Sequence, residues 1–291
     1  LVLFSQEFTK EIGLVSENDA YMMGGDDGYY TNGLKLYTNW KGRDSLKVYS
    51  LEAEQLMYNA QNGDYSKIED IDRPVTAYLH LTFKQTQFTS CKDLIKWGIS
   101  LGAIGPIALG KEAQIALHNM LSMYDPKEEW EYQLKNSVGI NGEFTWVKEI
   151  PVKSNMEFQT VAAGRVGFFF TNIELGTLFR WGKFNPNTHT SYWNTRLNAI
   201  GKKSRHELFF YFQPSFFVYA YNATVKGGLF RKDKGPVTGS LNPLVYHHKI
   251  GVLGSWNRFA LNLSVNYQTK ETSSQKRSQW YGSIQLNYLI K

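Results

Sequence analysis

The sequence predicts an all-β chain: one twelve-stranded antiparallel transmembrane β-barrel with a short helix in an extracellular loop. Aromatic residues make up 15% of the 291 residues, with 18 Tyr, 18 Phe and 8 Trp, more than a globular core needs. Mean hydropathy is nevertheless -0.38, and no window approaches ~18 consecutive apolar residues, which excludes a helical membrane span. Apolar and polar residues also alternate with period two through many short segments separated by turn residues, as strands with one apolar and one hydrated face require. Composition alone suits a soluble β-sandwich or lipocalin-like barrel equally well. The long polar faces, rich in Asn, Gln, Ser and Tyr, favour a hydrated lumen.

The alternation is clearest in Phe259–Gln268, where Phe259, Leu261, Leu263, Val265 and Tyr267 share one face. Trp280–Ile290 and Val75–Lys84 repeat it. In order, the expected strands are Phe8–Asn18, Tyr30–Trp40, Leu46–Tyr58, Val75–Thr86, Asp93–Ala103, Gly139–Ile150, Asn155–Ala163, Asn172–Lys183, His206–Tyr221, Leu244–Ser255, Phe259–Thr269 and Gln279–Ile290. An even number places both termini on the periplasmic side. Pro214 lacks a ladder donor and predicts a bulge or kink in the ninth strand. The stretch Asn185–Arg205 is long for a periplasmic turn and has no reading from sequence. Lys41–Ser45 and Trp256–Arg258 are short, whereas Asp19–Tyr29, Asn59–Pro74, Ile104–Val138, Leu229–Pro243 and Lys270–Ser278 are mostly longer and polar. That is the asymmetry of periplasmic turns and extracellular loops.

One segment breaks the β pattern. Gly110 to Met123 reads as a helix that ends before Pro126. Ala113, Ala116, Leu117 and Met120 form its apolar stripe, with His118 on the other side, stacked on Gln114 and Ser122.

The chain is expected to be one barrel domain over residues 1–291, with residues 1–6 as a signal-peptide remnant. Its 32 basic and 26 acidic residues give a net charge of +6. The basic residues are dispersed, with no Arg/Lys stripe, which argues against nucleic-acid binding. A mild positive excess suits an anionic lipid surface. A single cysteine, Cys91, excludes an intramolecular disulfide framework and a multi-cysteine zinc site.

Strand order alone gathers the polar clusters of the first half on one rim. The ends of odd strands and the starts of even strands share that edge: Asn18 and Asp19, Tyr30 to Gly33, Gln55 to Tyr58, Asp72 to Pro74, Ile104 to Pro106, and then the His118 helix. A histidine near Asn, Asp and Thr can activate a water while amide or hydroxyl groups meet the developing oxyanion. Oxygens around Asp19, Asp26 and Asp27 suit a hard cation such as calcium. These residues also have ordinary roles, since Asn-Asp and Asp-Asp-Gly are common turn formers and a lone loop histidine is commonly a surface residue. Glu52 and Glu54 share a face that lines the lumen, and His247-His248 looks incidental. No Gly-x-Ser-x-Gly elbow occurs.

Ordered blocks across the first ~125 residues carry a resemblance. They are Glu17-Asn18-Asp19, Asp27-Gly28-Tyr29-Tyr30-Thr31-Asn32-Gly33, Gln55-x-x-Tyr58, Asp72-Arg73-Pro74, Leu101-Gly102-x-Ile104-Gly105-Pro106 and Gly110-x-Glu112-x-Gln114-x-x-x-His118. Together they resemble the lipid A 3′-O-deacylase family (the LpxR type). The resemblance implies a twelve-stranded, bacterial outer-membrane barrel. Such a protein hydrolyses the 3′-linked acyloxyacyl ester of lipid A with Ca2+, in a phospholipase A2-like way, with its site facing the outer leaflet. It implies His118 as the base, and Asn18, Asp19 and Thr31 as binders of the metal or ester oxygens. Lys67 stands for the family's catalytic lysine in a loop of different length. Asp125 lies beside Tyr124, which occupies the position of a family acidic residue, and is the remaining metal candidate. Asn59-Ala60 replaces the usual small-Pro pair. The implied partners are lipopolysaccharide and outer-membrane lipid, with the protein a monomer. A non-enzymatic small porin or adhesin is the alternative, and an esterase acting on another lipid is a third reading.

Overall fold

The computed structural model describes residues 8–22, 28–43, 47–61, 67–122, 128–197 and 206–291. Twelve strands form in the order expected: β1 (Lys10–Asn18), β2 (Tyr29–Lys41), β3 (Val48–Asn59), β4 (Thr76–Phe88), β5 (Leu94–Ile104), β6 (Ser137–Lys153), β7 (Met156–Gly167), β8 (Phe170–Lys183), β9 (His206–Asn222), β10 (Leu244–Trp256), β11 (Phe259–Gln268) and β12 (Gln279–Ile290). Every strand pairs antiparallel with its sequence neighbours. β12 closes on β1, from Lys10↔Ile290 to Asn18↔Gly282. Closure leaves no sheet edge, the condition for strands to span a membrane. No described helix is long and apolar enough to cross one.

Side-chain alternation sorts the wall into two faces. Ile12, Leu14, Leu34, Leu36, Leu81, Leu101 and Phe210 are exposed on the outside. Aromatic rings band this outer face at two levels. Tyr267 packs on Trp280 at 4.7 Å and on His248 at 5.0 Å, and Phe216 on Tyr246 at 5.1 Å. Toward the other rim, Trp40, Tyr49, Phe83 and Trp97 form a continuous ring cluster. Two aromatic girdles around an apolar band are the signature of a barrel in lipid.

The inner face is polar and filled. Lys84 Nζ lies 2.9 Å from Glu52 and 2.8 Å from Glu143, and Glu54 meets Lys35 at 3.1 Å and His80 at 3.1 Å. A cavity of about 500 Å³ remains beside these charges, lined among others by Tyr30, Tyr58, Arg165, Tyr219 and Tyr281. Glu52 and Glu54 line the lumen as expected. His247 faces inward toward Tyr281, whereas His248 joins the outer aromatic band.

Pro214 breaks the ninth strand less than expected. The register with β10 runs unbroken through Pro214↔His248. On the β8 side, Gly176 pairs Ser215 and Phe179 pairs Phe212 in the same register, with no pairs at Thr177 and Leu178. The proline therefore costs two ladder pairs at an edge it cannot donate to, and no bulge. The register slip lies further along, where Thr171 pairs Tyr221 but Asn172 pairs Tyr219.

Residues 184–197, between β8 and β9, fold back into the lumen as a plug at the rim that holds the chain ends. Arg180, fully buried, bonds Glu157 at 2.6 Å and the Thr190 hydroxyl. Glu207 accepts from Asn185 N, Thr190 Oγ1 and Ser191 N at 2.8–3.0 Å. Trp193 Nε1 donates to Gln159 at 2.9 Å. Tyr192 donates to Gln213, and burial pushes its phenol well up, so it stays a donor. Arg196 ties the segment's far end to Glu11 at 3.0 Å.

Candidate active site

The opposite rim carries the long connections and every block of the resemblance. It also carries a helix, α1 (Gly110–Leu121). Gly105 sets its approach. The residue has φ 84°, and a Cβ there would stand 2.7 Å from the Leu134 carbonyl oxygen, so only glycine makes the turn from β5. Its N–H donates to Thr76 Oγ1.

The face that α1 buries differs from the stripe read in the sequence. Gly110, Gln114 and His118 are buried, four residues apart on one side. Ala116 is exposed and Met120 is 73% exposed. The polar side of the helix therefore turns toward the barrel, and part of its apolar side turns out, as Ile107 and Leu109 also do.

Strand parity fixes which surface α1 covers. Met57 and Ala77 pair across β3 and β4, on the same outward side as exposed Leu51 and Leu81. Here they are buried, in a cluster with Ala60, Ile71, Val75, Ala108 and Trp130, against which Ala113 packs. Gly110 sits so close to Ala77 and the Trp130 ring that a methyl group would clash. Gln55 donates to the Ala108 carbonyl at 2.6 Å. Trp130 donates to Gln114 Oε1 at 2.7 Å, fixing the residue one turn before His118. The helix is thus mounted on the outer wall of β3 and β4 and does not cover the mouth of the lumen.

The other candidates lie on the adjoining corner. Asn18 ends β1 on the outward side, in register with Asn32 of β2. Its Oδ1 accepts from Ala20 N at 2.7 Å, a short turn that aims Asp19. Asp19 is 9% exposed, and its Oδ2 accepts from Gly28 N at 3.0 Å. Gly28 has φ 153°, and a Cβ would lie 2.8 Å from Gln61 Cα, so this contact needs glycine. Thr31 is the extra residue of a bulge between Tyr30 and Asn32. It is 7% exposed, and its hydroxyl donates to the Met57 carbonyl at 3.5 Å, tying the corner to the cluster beneath α1. Tyr21 completes the corner from outside: its hydroxyl meets Ser16 Oγ at 2.7 Å, and its Cβ fills the space over Gly282.

Lys67 does not join these residues. It is exposed and precedes the 3-10 turn Ile68–Asp70 without a side-chain cap. Asp26, Asp27, Tyr124 and Asp125 lie outside the described residues.

Three blocks of the resemblance hold the loops together. Arg73, fully buried, bonds Glu271 at 2.9 Å and Thr224 at 3.1 Å, with its guanidinium 4.0 Å from the centre of the Tyr58 ring. Asp72 accepts from Tyr29 Oη at 2.6 Å and from Gln61 N at 3.1 Å. The sequence reading missed Trp130, which positions the helix, and named Gln55 in a block without the role it has here, holding the turn before the helix. An aromatic residue in a long polar connection was the available signal for Trp130.

Among the described residues, no three His, Cys, Asp or Glu side chains gather as a metal cluster. The corner instead offers one carboxylate beside neutral oxygens, from Asp19, Asn18 and Thr31. Hard, mostly neutral oxygen donors of this kind fit calcium with water filling the remaining positions, and do not fit a soft metal.

A closed barrel with a lipid-facing wall, a plug in its lumen and a helix mounted on that wall defines an outer-membrane β-barrel protein. The family described as Outer membrane protein LpxR matches residues 2–290, and the chain belongs to that family. The solved structure of LpxR from Salmonella typhimurium is 20% identical and superposes with a TM-score of 0.80, covering 96% of this chain and 100% of that one. The beta domain of the Bordetella autotransporter BrkA matches at a TM-score of 0.46 and 8% identity, over 97% and 99% of the two chains. The KdgM porin matches at 0.44 and 8%, again over 97% and 99%. No curated protein matches the sequence.

Proposed function

We propose that this protein is a lipid A deacylase of the outer membrane that hydrolyses the 3′-linked acyloxyacyl ester, with His118 as general base. One observation carries the reading: α1 turns a buried polar face, Gln114 and His118, toward a lipid-facing wall where an apolar face would be expected. Burying polar groups against such a wall is costly unless they are hydrogen-bonded, and the bond from Trp130 to Gln114 meets that cost, which keeps the imidazole on the side facing the wall. Family membership supplies the substrate class.

In this mechanism His118 takes a proton from a water as its oxygen bonds to the acyl carbon. The proton passes to the sugar 3′ oxygen as the ester C–O bond breaks, leaving a free hydroxyl and a carboxylic acid. Gln114, held by Trp130, keeps the helix in register. Asp19, Asn18 and Thr31 would hold Ca2+, which supplies positive charge for the oxyanion that develops on the ester carbonyl. The substrate-facing rim is the long-loop rim, in contact with the outer leaflet and the exterior.

A conducting pore fits less well, because the plug and the lumenal ion pairs occupy the channel. Mass spectrometry of lipid A from cells with and without the protein tests the proposal. Loss of the 3′ chains is expected, and His118→Ala should reduce it by about 10²–10⁴-fold while heat-modifiable migration stays intact. Identical spectra would overturn it.

A further inference from the structure

We infer that the outward groove around Ala53 is an acyl-chain subsite of the proposed reaction, and that Ala53 sets the chain length it accepts. The inference rests on the deacylase reading and adds a selectivity to it. An apolar groove of about 570 Å³ runs across the outer wall, lined by Leu14, Leu36, Leu51, Ala53, Leu81 and Leu286 among others. Ala53 is the notch in it. Its cross-strand neighbours are Leu36 and Leu81, and Leu51 precedes it on the same face. At Ala53 one methyl group stands among three leucines. A second apolar hollow, of about 770 Å³ around Gly142, Ala162 and Gly164, lies across β5 to β9 and has no residue of α1 in its lining.

The notch points along the strands to the candidate site. Ala53 precedes Gln55 and Met57 on the outward face of β3, and these two lie under α1. Leu14 precedes Asn18 on β1 by four residues. At ~3.3 Å per residue, the groove therefore starts ~13 Å from the corner residues. Past its lining on β3 and β4 the wall carries rings. The next outward residues are Tyr49 and Phe83, whose rings stack at 5.8 Å, with Trp40 6.0 Å from Tyr49. From Met57 to Leu51 the wall measures ~20 Å along β3, and strand tilt of ~40° brings this near the ~15 Å depth of one leaflet. A chain whose ester sits under α1 ends in the notch, above an aromatic stop.

Lipid tails are as apolar as leucine, so transfer from water contributes nothing to the choice. Discrimination comes from packing: a terminal segment seated between three leucines gains contacts that a shorter chain does not reach. The expected effect is accordingly modest.

The test uses the full-length protein in vesicles containing lipid A with 3′ chains of decanoyl, dodecanoyl or tetradecanoyl length. Ala53→Phe fills the notch and should lower the tetradecanoyl-to-decanoyl ratio of kcat/KM about tenfold, with decanoyl turnover retained. Leu36→Ala widens the groove and should move the ratio the other way, which keeps the test open if Ala53→Phe fails to fold. Leu175→Phe, an equally exposed change on the far wall, should leave the profile as it is. An unchanged profile in folded Ala53→Phe or Leu36→Ala overturns the subsite. No turnover of any chain length by the unaltered protein would overturn the deacylase reading instead.

Discussion

Replacing Arg73 with leucine should destabilise the barrel by about 3 kcal/mol, and removing Glu271 as well should restore most of the loss. The Arg73 side chain is wholly buried and that of Glu271 is 6% exposed, with Nη2 to Oε2 at 2.9 Å. Breaking a buried pair by taking one partner costs about 3–5 kcal/mol, because the other charge is left without a counterion. The lower end applies here: Glu271 keeps a hydrogen bond from Asn222 Nδ2 at 3.3 Å. The pair itself is not a strong net contributor, since Arg73 Nε is buried with no hydrogen-bond partner. Arg73→Leu with Glu271→Met replaces both charges by apolar groups, and should lie within ~1 kcal/mol of the parent. Urea unfolding in lipid vesicles, followed by tryptophan fluorescence, measures all four corners of the cycle. A loss below ~1 kcal/mol for Arg73→Leu, or a double variant as unstable as the sum of the singles, would refute the argument.

Other expectations follow from the same contacts. Trp130→Phe removes the indole donor to Gln114 but keeps the ring; it should cost about 0.5–1.5 kcal/mol and lower deacylation in the lipid A assay more than it lowers stability. Asp19→Asn removes the corner's carboxylate, so half-maximal activity should need at least tenfold more calcium, as read by titration from a chelated state; unchanged calcium dependence would remove Asp19 from the proposed calcium site. Deleting residues 187–195 should open the lumen, seen as a rise in single-channel conductance in planar bilayers. Gly105→Ala places a methyl 2.7 Å from the Leu134 carbonyl oxygen at φ 84° and should destabilise the barrel by about 1–3 kcal/mol in the same urea titration.

The barrel was legible because period-two alternation is a local property that each strand carries by itself. Residues 259–268 and 279–290 declare their faces without reference to the rest of the chain. The rim site was legible only in outline, since strand order places Asn18, Thr31 and His118 on one edge but says nothing of inside and outside. The helix shows why. An apolar stripe is read as the buried side because the usual surroundings are water. Beside lipid that inference loses its basis, and Met120 is exposed while His118 is buried. Residues 184–197 escaped for a different reason. Their hold on the lumen comes from polar contacts to Arg180, Gln159, Glu207 and Glu11, on four different strands, and no periodicity announces such partners. Lys67 was carried over by loop position, which is the first thing to drift when a loop changes length.

For the proposed deacylase, the mounting of α1 on the outer wall has a kinetic meaning. A catalyst that opens sideways meets only molecules dissolved in the same monolayer, and these arrive by two-dimensional diffusion without passing through water. The quantity that governs its rate is then a mole fraction in the surface. Diluting lipid A with inert lipid should slow the reaction at constant total amount, whereas diluting the whole suspension with buffer should leave each protein's turnover unchanged.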